Sequence, residues 1–540
     1  MTRTLITGRV FTADPHQPWA EGIVLDGHTI AFVGSDHEAR EHAGDDADHI
    51  DAGDGVVLPG FVDGHSHILS TGAALTRAAL RRCTDLDQIA AELLRWTAAN
   101  PDAPRVAGVG WTFHSIPDAT PTAAMLDAIV LDTPVYLDAS DLHSVWCNSA
   151  ALRELGIDAE TADPVGGTIV RDEHGAATGL LLENAGYRIA WPVMNRTTAE
   201  ADDRNLRAAI QEWLRTGTTC AVDMACDHKT LRALERADAN GELPFTVLAH
   251  WLIHRTGDPS TELAQVSDVV ELVRAHQSSR VRLLGIKLVL DGTIDGCTAG
   301  MCDPFTNGKP GEMVWPRDVL EPVVLAADEA GLQIAMHAIG DLAVRTALDV
   351  LEVAAHRRAA RGDANERRHR IEHLEYVDPV DIPRLAPLGV TASMQPVHVD
   401  PAGLANWIEV LGAERAQHGF AWPEHLAHGT TLAFGTDAPT APHPPLPNMY
   451  IAATRRSPYV PDAVPLRPDF ALTLEGAIAH GTRDSAWASF EEHRRGMLRA
   501  GLAADVIVLD TDPFRDGASS LLRTRVSHTF VGGVRFAHGQ

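Results

Sequence analysis

A chain of 540 residues is long enough to bury a large core and to hold one big domain with smaller attachments. Its 45% hydrophobic and 22% charged residues are those of an ordinary soluble globular protein, without an apolar run of membrane-span length. The 73 acidic against 45 basic side chains, a formal charge of −28, repel polyanions, so neither nucleic acid nor a membrane is an expected partner.

The opening residues, Met1 to Val10, lack the continuous apolar segment of a secretory signal, which makes the cytoplasm the expected location. Short strands come first: Thr4–Phe11 alternates, Gly22–Leu25 follows, and Asp26-Gly27 turns the chain into Thr29–Val33. Val57–Val62 then begins a series of apolar, β-branched runs that continues with Thr218–Asp223, Phe245–Trp251, Arg282–Leu288, Gln333–Met336, His369–Glu372, Val390–Met394 and Thr431–Phe434. Helical patterns such as Leu320–Ala330 and Leu342–Ala355 lie between them. Such alternation is the signature of parallel βαβ units and predicts an α/β protein built on a (β/α)8 barrel over residues 58–494.

The stretch from His67 to Thr218 is too long for one helix and its loops. An insertion, a lid or substrate subdomain, is therefore expected over 68–205, with strand-like Val135–Asp138 and Gly179–Glu183 and a hairpin at Arg171–Thr178. Near the end, Asp505–Leu509 and Thr529–Phe536, the latter broken by Gly532-Gly533, repeat the texture of the beginning. Residues 1–57 and 495–540 are accordingly predicted to form one discontinuous β-sandwich. The basic cluster Arg357, Arg358, Arg361, Arg367, Arg368 and Arg370 reads as a solvated helix face and loop. The cysteines are scattered without a CxxC pair and are expected to be reduced thiols.

Chemistry concentrates at the strand ends. His65 and His67 follow the first run two residues apart, a spacing that lets both imidazoles face one metal. Lys287 sits in Gly285-Ile-Lys-Leu-Val-Leu-Asp-Gly-Thr293, where an amine is expensive to bury. His337 ends Leu332-Gln-Ile-Ala-Met-His, His373 ends Arg370-Ile-Glu-His, and Asp437 ends Leu432-Ala-Phe-Gly-Thr-Asp. Each alone reads as a cap or a satisfied core residue. Together they fill the C-terminal mouth, where such barrels keep their active sites. No Gly-x-Ser-x-Gly elbow, phosphate loop or dinucleotide fingerprint competes with this constellation.

From Thr4 to about Gly533 the sequence resembles the amidohydrolase superfamily, and within it the branch of the N-substituted formamide deformylases (amidohydrolase family 3). Beyond the strand-end residues the resemblance rests on Gly110-Trp111, His143 with Asn148-Ser149-Ala150-Ala151-Leu152, Asp291-Gly292-Thr293 and Gly501–Asp510. It implies that His65, His67 and Asp437 hold one metal. It also implies that Lys287, carboxylated on its amine, bridges to a second held by His337 and His373. The carbamate's oxygens replace a cation that two metals would repel.

One or two divalent ions are thus expected, zinc first and iron, manganese or cobalt as alternatives, with bound water activated to a pKa of ~7. Asp437 would move the proton, and His143 would donate to a substrate carbonyl. Trp111, Phe113, Trp146 and Trp315 are candidate apolar walls, and Gln395 and His398 candidate substrate contacts. Cys297 precedes Thr298-Ala299 where relatives carry an arginine, so an anion contact at that place does not carry over.

The expected activity is hydrolysis of a non-peptide C–N bond in a small molecule: an N-substituted amide, a formamide or a cyclic amide. Ester or carbamate hydrolysis, a lyase or isomerase, and a non-catalytic regulatory relative stay open, as does a homo-oligomer.

Overall fold

The computed structural model describes residues 3–276 and 278–536. Its centre is a sheet of eight parallel strands, each paired with the next in chain order: β1 (Phe61–Ser66), β2 (Thr218–Cys226), β3 (Thr246–Leu252), β4 (Val281–Val289), β5 (Gln333–Ala338), β6 (Arg370–His373), β7 (Thr391–Met394) and β8 (Leu432–Phe434). Between β8 and β1 the ladder gives way to a seam. Asp437 N donates to His65 O at 2.7 Å, and Asp63 accepts from Thr436 N at 2.9 Å and Thr436 Oγ1 at 2.7 Å. These bonds bring the open sheet nearly to closure as a barrel.

Helices pack outside, including Ala199–Arg215, His228–Ala239, Pro259–Ala275, Arg317–Glu329 and Asp341–Arg361. Local chemistry explains their limits. Asp227 and Asp258 accept from the first free N–H groups of the second and third, and Gly362 ends the last in the left-handed conformation, φ 70°. Ile334 and Met336 point from β5 into a core with Leu320, Val324 and Leu348, all fully buried. Such burial supplies roughly 1.5–3 kcal/mol per side chain.

The first barrel strand corrects the sequence reading. Val57 and Leu58 belong to a separate strand, Asp48–Pro59, and the barrel begins only at Phe61. Gly60 makes the transfer, since a Cβ there would stand 2.3 Å from the Thr219 side chain. Asp48–Pro59 is the centre of a seven-stranded sheet, with Thr4–Phe11, Trp19–Asp26 and Thr29–Gly34 on one side and Val506–Leu509, Val526–Val531 and Val534–Phe536 on the other. Ile30 N donates to Leu502 O and Ala504 N to His28 O, so the sheet folds over on itself around Ile6, Ile23, Val57, Val506 and Phe530.

After β1 the chain builds a third, six-stranded sheet from Ala78–Ala79, Val106–Trp111, Val135–Ala139, Ser144–Cys147, Gly167–Arg171 and Ala177–Glu183. It has its own core, with Leu93, Trp111, Leu137 and Trp146 fully buried. Thr293 Oγ1 donates to Asp141 at 2.9 Å, tying this insertion to the loop after β4 at the barrel mouth.

The basic cluster is not one solvated face. Arg358 bonds Asp328, Arg368 bonds Glu492 at 2.8 Å, and Arg370 is fully buried inside the barrel on Glu372. Among the described residues no helix is long and apolar enough to cross a membrane.

Candidate metal centre

The barrel interior is polar near its C-terminal mouth. His65, Lys287, His337, His373 and Asp437 are all buried, and His67 is nearly so. Alternation along β1 turns His65 inward, and His67, one residue past the strand, follows it. One ligand atom from each of His65, His373 and Asp437 lies within 4.8 Å of the other two. His67 Nε2 is 3.0 Å from Asp437 Oδ1, and the ring centroids of His337 and His373 are 4.5 Å apart.

Three of these imidazoles have one nitrogen already committed. His65 Nδ1 lies 2.6 Å from Glu372 Oε2, His373 Nδ1 2.8 Å from Gln395 Oε1, and His337 Nε2 3.2 Å from Gly292 O. An oxygen of this kind only accepts, so each of those nitrogens carries a proton, while the opposite nitrogen of His65 faces Asp437 Oδ1 at 3.3 Å. Burial drives the basicity of His337 and His373 well below the ordinary imidazole value, which keeps both neutral. Burial favours a neutral Asp437 as well, but the charges and hydrogen bonds of His65 and His67 outweigh it and hold this carboxylate well below its usual range.

Lys287 Nζ is buried without a hydrogen-bond partner among the described residues. Burial pushes its pKa down to about 8, against the pull of Glu372 and Asp437. Asp291 takes no part in pairing it. That side chain accepts from Gly300, Ile339 and Gly340 N–H groups and fixes the loop after β5.

The insertion supplies the far wall. His143 lines the cavity with its ring 4.8 Å from that of His337, and its Nδ1 lies 2.7 Å from Glu183 Oε2. Burial opposes a charge on His143, but Glu183 and Asp141 more than offset it and raise its pKa to about 9. The whole cavity measures about 1960 Å³. Phe113 and Trp315 line it, and so does Trp111, which is otherwise packed in the insertion's core.

Two expected substrate contacts take other positions. Trp146 is fully buried in the insertion, its indole donating to Thr122 O, and is not part of the cavity wall. Gln395 is turned away from the cavity to hold His373. His398 does face the cavity, with Nε2 3.4 Å from Asp437 Oδ2 and Nδ1 3.2 Å from Glu375 Oε1.

Glu372 and Glu183 were not among the residues predicted from the sequence. Arg370 and Glu372, charged and two apart in a four-residue strand, are the signal that pointed to the first: one face of β6 had to turn toward a polar interior. The second had no comparable signal.

A polar barrel mouth with a carboxylate and paired histidines has the make-up of a metal site, and comparison with known proteins gives the family. Residues 48–537 match the model of the amidohydrolase family, and the chain belongs to it. It is 29% identical to Protein LONG AFTER FAR-RED 3 of Arabidopsis thaliana, over 97% of this chain and 90% of that protein. It is 28% identical to the N-substituted formamide deformylase of Arthrobacter pascens, over 98% of this chain and 97% of the other. Among solved structures, an uncharacterized metal-dependent hydrolase from Pyrococcus horikoshii OT3 superposes with a TM-score of 0.74 at 25% identity, covering 95% of this chain and 98% of that one.

Proposed function

We propose that this protein is a metal-dependent hydrolase of a non-peptide C–N bond in an N-substituted amide, formamide or cyclic amide. The observation that carries the reading is the set of committed imidazole nitrogens: His65, His337 and His373 each have one nitrogen bonded to an acceptor, which leaves the opposite nitrogen for ligation, that of His65 next to Asp437. That arrangement fits a divalent cation, zinc first by ligand type. His65, His67 and Asp437 would hold one ion, and His337 and His373 a second. Lys287 would join them after its neutral amine adds carbon dioxide and releases a proton, which turns an uncharged amine into a carbamate whose single negative charge is shared by two oxygens. Bound there, the cation supplies Lewis acidity that polarises a carbonyl and lowers the pKa of water toward ~7.

The chain's own groups do the rest. Asp437, held ionised, accepts the proton of the attacking water and passes it to the departing amine. His398, placed by Glu375, faces the second oxygen of Asp437 and keeps that carboxylate oriented. His143, fixed by Glu183, presents Nε2 as a donor for the carbonyl oxygen as negative charge builds on it. The similarity to the formamide deformylase supports the C–N bond as the target.

The test is a screen of metal-reconstituted protein against N-substituted formamides, cyclic amides and esters. Turnover of at least one amide class, abolished by chelation, is the expected result. Ester hydrolysis without any amide turnover would refute the reading.

A further inference from the structure

The cavity wall contributed by the insertion holds a cation that the chemistry above does not use. Arg81 follows the edge strand Ala78–Ala79 and lines the cavity. Its backbone lies against Gly110, which has φ +97° and where a Cβ would stand 3.0 Å from Arg81 N, so the turn that presents Arg81 depends on a residue without a side chain.

The guanidinium is anchored by neutral acceptors: Nη1 donates to Ser140 Oγ at 3.0 Å and Nη2 to Pro439 O at 2.6 Å. Pro439 is two residues past Asp437, so the head of Arg81 is tied to the loop that follows Asp437.

Among the described residues Arg81 makes no ion pair, and its neighbour Arg82, on the same wall, makes none. Of the other arginines on the cavity wall, Arg77 is held by Asp138 at 2.7 Å and Arg255 by Glu262, while Arg196 makes no ion pair among the described residues. Arg81 is exposed to the cavity, so its unpaired guanidinium is open to a bound anion, which would form charge-assisted hydrogen bonds with it. Two of its five N–H groups are used to hold it, and the rest remain for a ligand.

We propose that Arg81 is an anion-recognition residue, and that substrates of this site carry a carboxylate or comparable monoanion away from the bond that is broken. The proposal rests on the hydrolase reading for the word substrate, but the binding it describes can be measured without turnover.

Calorimetric titration of the metal-loaded, full-length protein with N-acetylphenylalanine and with its neutral amide, N-acetylphenylalaninamide, tests it. The carboxylate should bind about 10- to 100-fold more tightly, the range of one or two charge-assisted hydrogen bonds. Arg81→Gln should abolish that ratio, and Arg81→Lys, which keeps the charge without the fork, should restore part of it. Equal binding of the two ligands by the unsubstituted protein would overturn the proposal. So would a carboxylate preference that survives Arg81→Gln undiminished, since it would then belong to the metal centre. A preserved, Arg81-dependent preference in a protein that turns over no amide would overturn the hydrolase reading and leave this one standing.

Discussion

The terminal sheet and the barrel mouth treat left-handed backbone in opposite ways. At the two tight hairpin tips of the sheet the positive φ values fall on glycines, Gly27 at 58°, Gly532 at 52° and Gly533 at 73°, while the longer loop after Thr4–Phe11 places Ala13 there, at 57°. Around the mouth they fall on residues with side chains: His373 at 78°, Asp437 at 56°, Glu183 at 50° and Leu142 at 59°. Each such residue carries roughly 1 kcal/mol or more of backbone strain that glycine would avoid. The sheet has no use for a side chain at its tips and takes the relaxed solution. The mouth needs an imidazole and two carboxylates at fixed places, and the surrounding hydrogen bonds hold the strain.

The largest expected break in this contrast is at Asp437. Asp437→Asn keeps the size and one coordinating oxygen but removes the proton acceptor, so kcat should fall ~10²–10⁴-fold while metal partly remains. Near-parent turnover in steady-state assays would remove this strained residue from the mechanism. Lys287→Ala comes next. Elemental analysis should show loss of the second metal, most activity should go with it, and added short carboxylic acids should restore a part. Crystallographic density for a bare amine at Lys287 in a metal-loaded protein would refute the bridge.

Glu372→Gln leaves an acceptor near His65 but no charge, and a chelator-competition titration should show metal affinity reduced ~10–100-fold. An unchanged affinity would mean that Glu372 only fills space. The smallest effect belongs to the sheet. Gly27→Ala, where a Cβ would meet nothing within 4 Å, should lower stability by about 1 kcal/mol in denaturant titration, with kcat unaltered. Gly533→Ala should lower it more, because its Cβ would stand 1.9 Å from Gly27 O. Equal stabilities for both variants and the parent would erase the distinction between the two regions.

How far the sequence could be read follows the same division. Seven of the eight barrel strands were predicted close to their observed positions, because a strand buried on both faces is an apolar, β-branched run whatever its partners. The first was displaced, since Val56-Val57-Leu58 and Phe61-Val62 are equally apolar and periodicity does not say which sheet a run joins. The strand-end polar residues were visible as breaks in apolar runs. Which way a side chain turns was not, and so Gln395 was read as facing substrate when it holds His373, and Trp146 as cavity wall when it is core. The carboxylates that orient the histidines lie far away in the chain, 307 residues between His65 and Glu372 and 40 between His143 and Glu183, so only the folded structure pairs them.

The seam between β8 and β1 bears on the order in which the molecule is made. Thr436 and Asp63, which close it, are 373 residues apart, and His67 and Asp437 are 370 apart. A growing chain releases both early histidines long before the carboxylate that faces them exists, and contacts of such long range form late. Until then His65 and His67 lack the carboxylate that faces them. The carboxylate proposed to complete the first ion's ligands arrives with the last strand, so capture of that ion would report a finished barrel. In refolding experiments, metal uptake should therefore keep pace with closure of this seam and lag behind formation of the earlier strands. Uptake at the rate of the first β-structure would contradict that order.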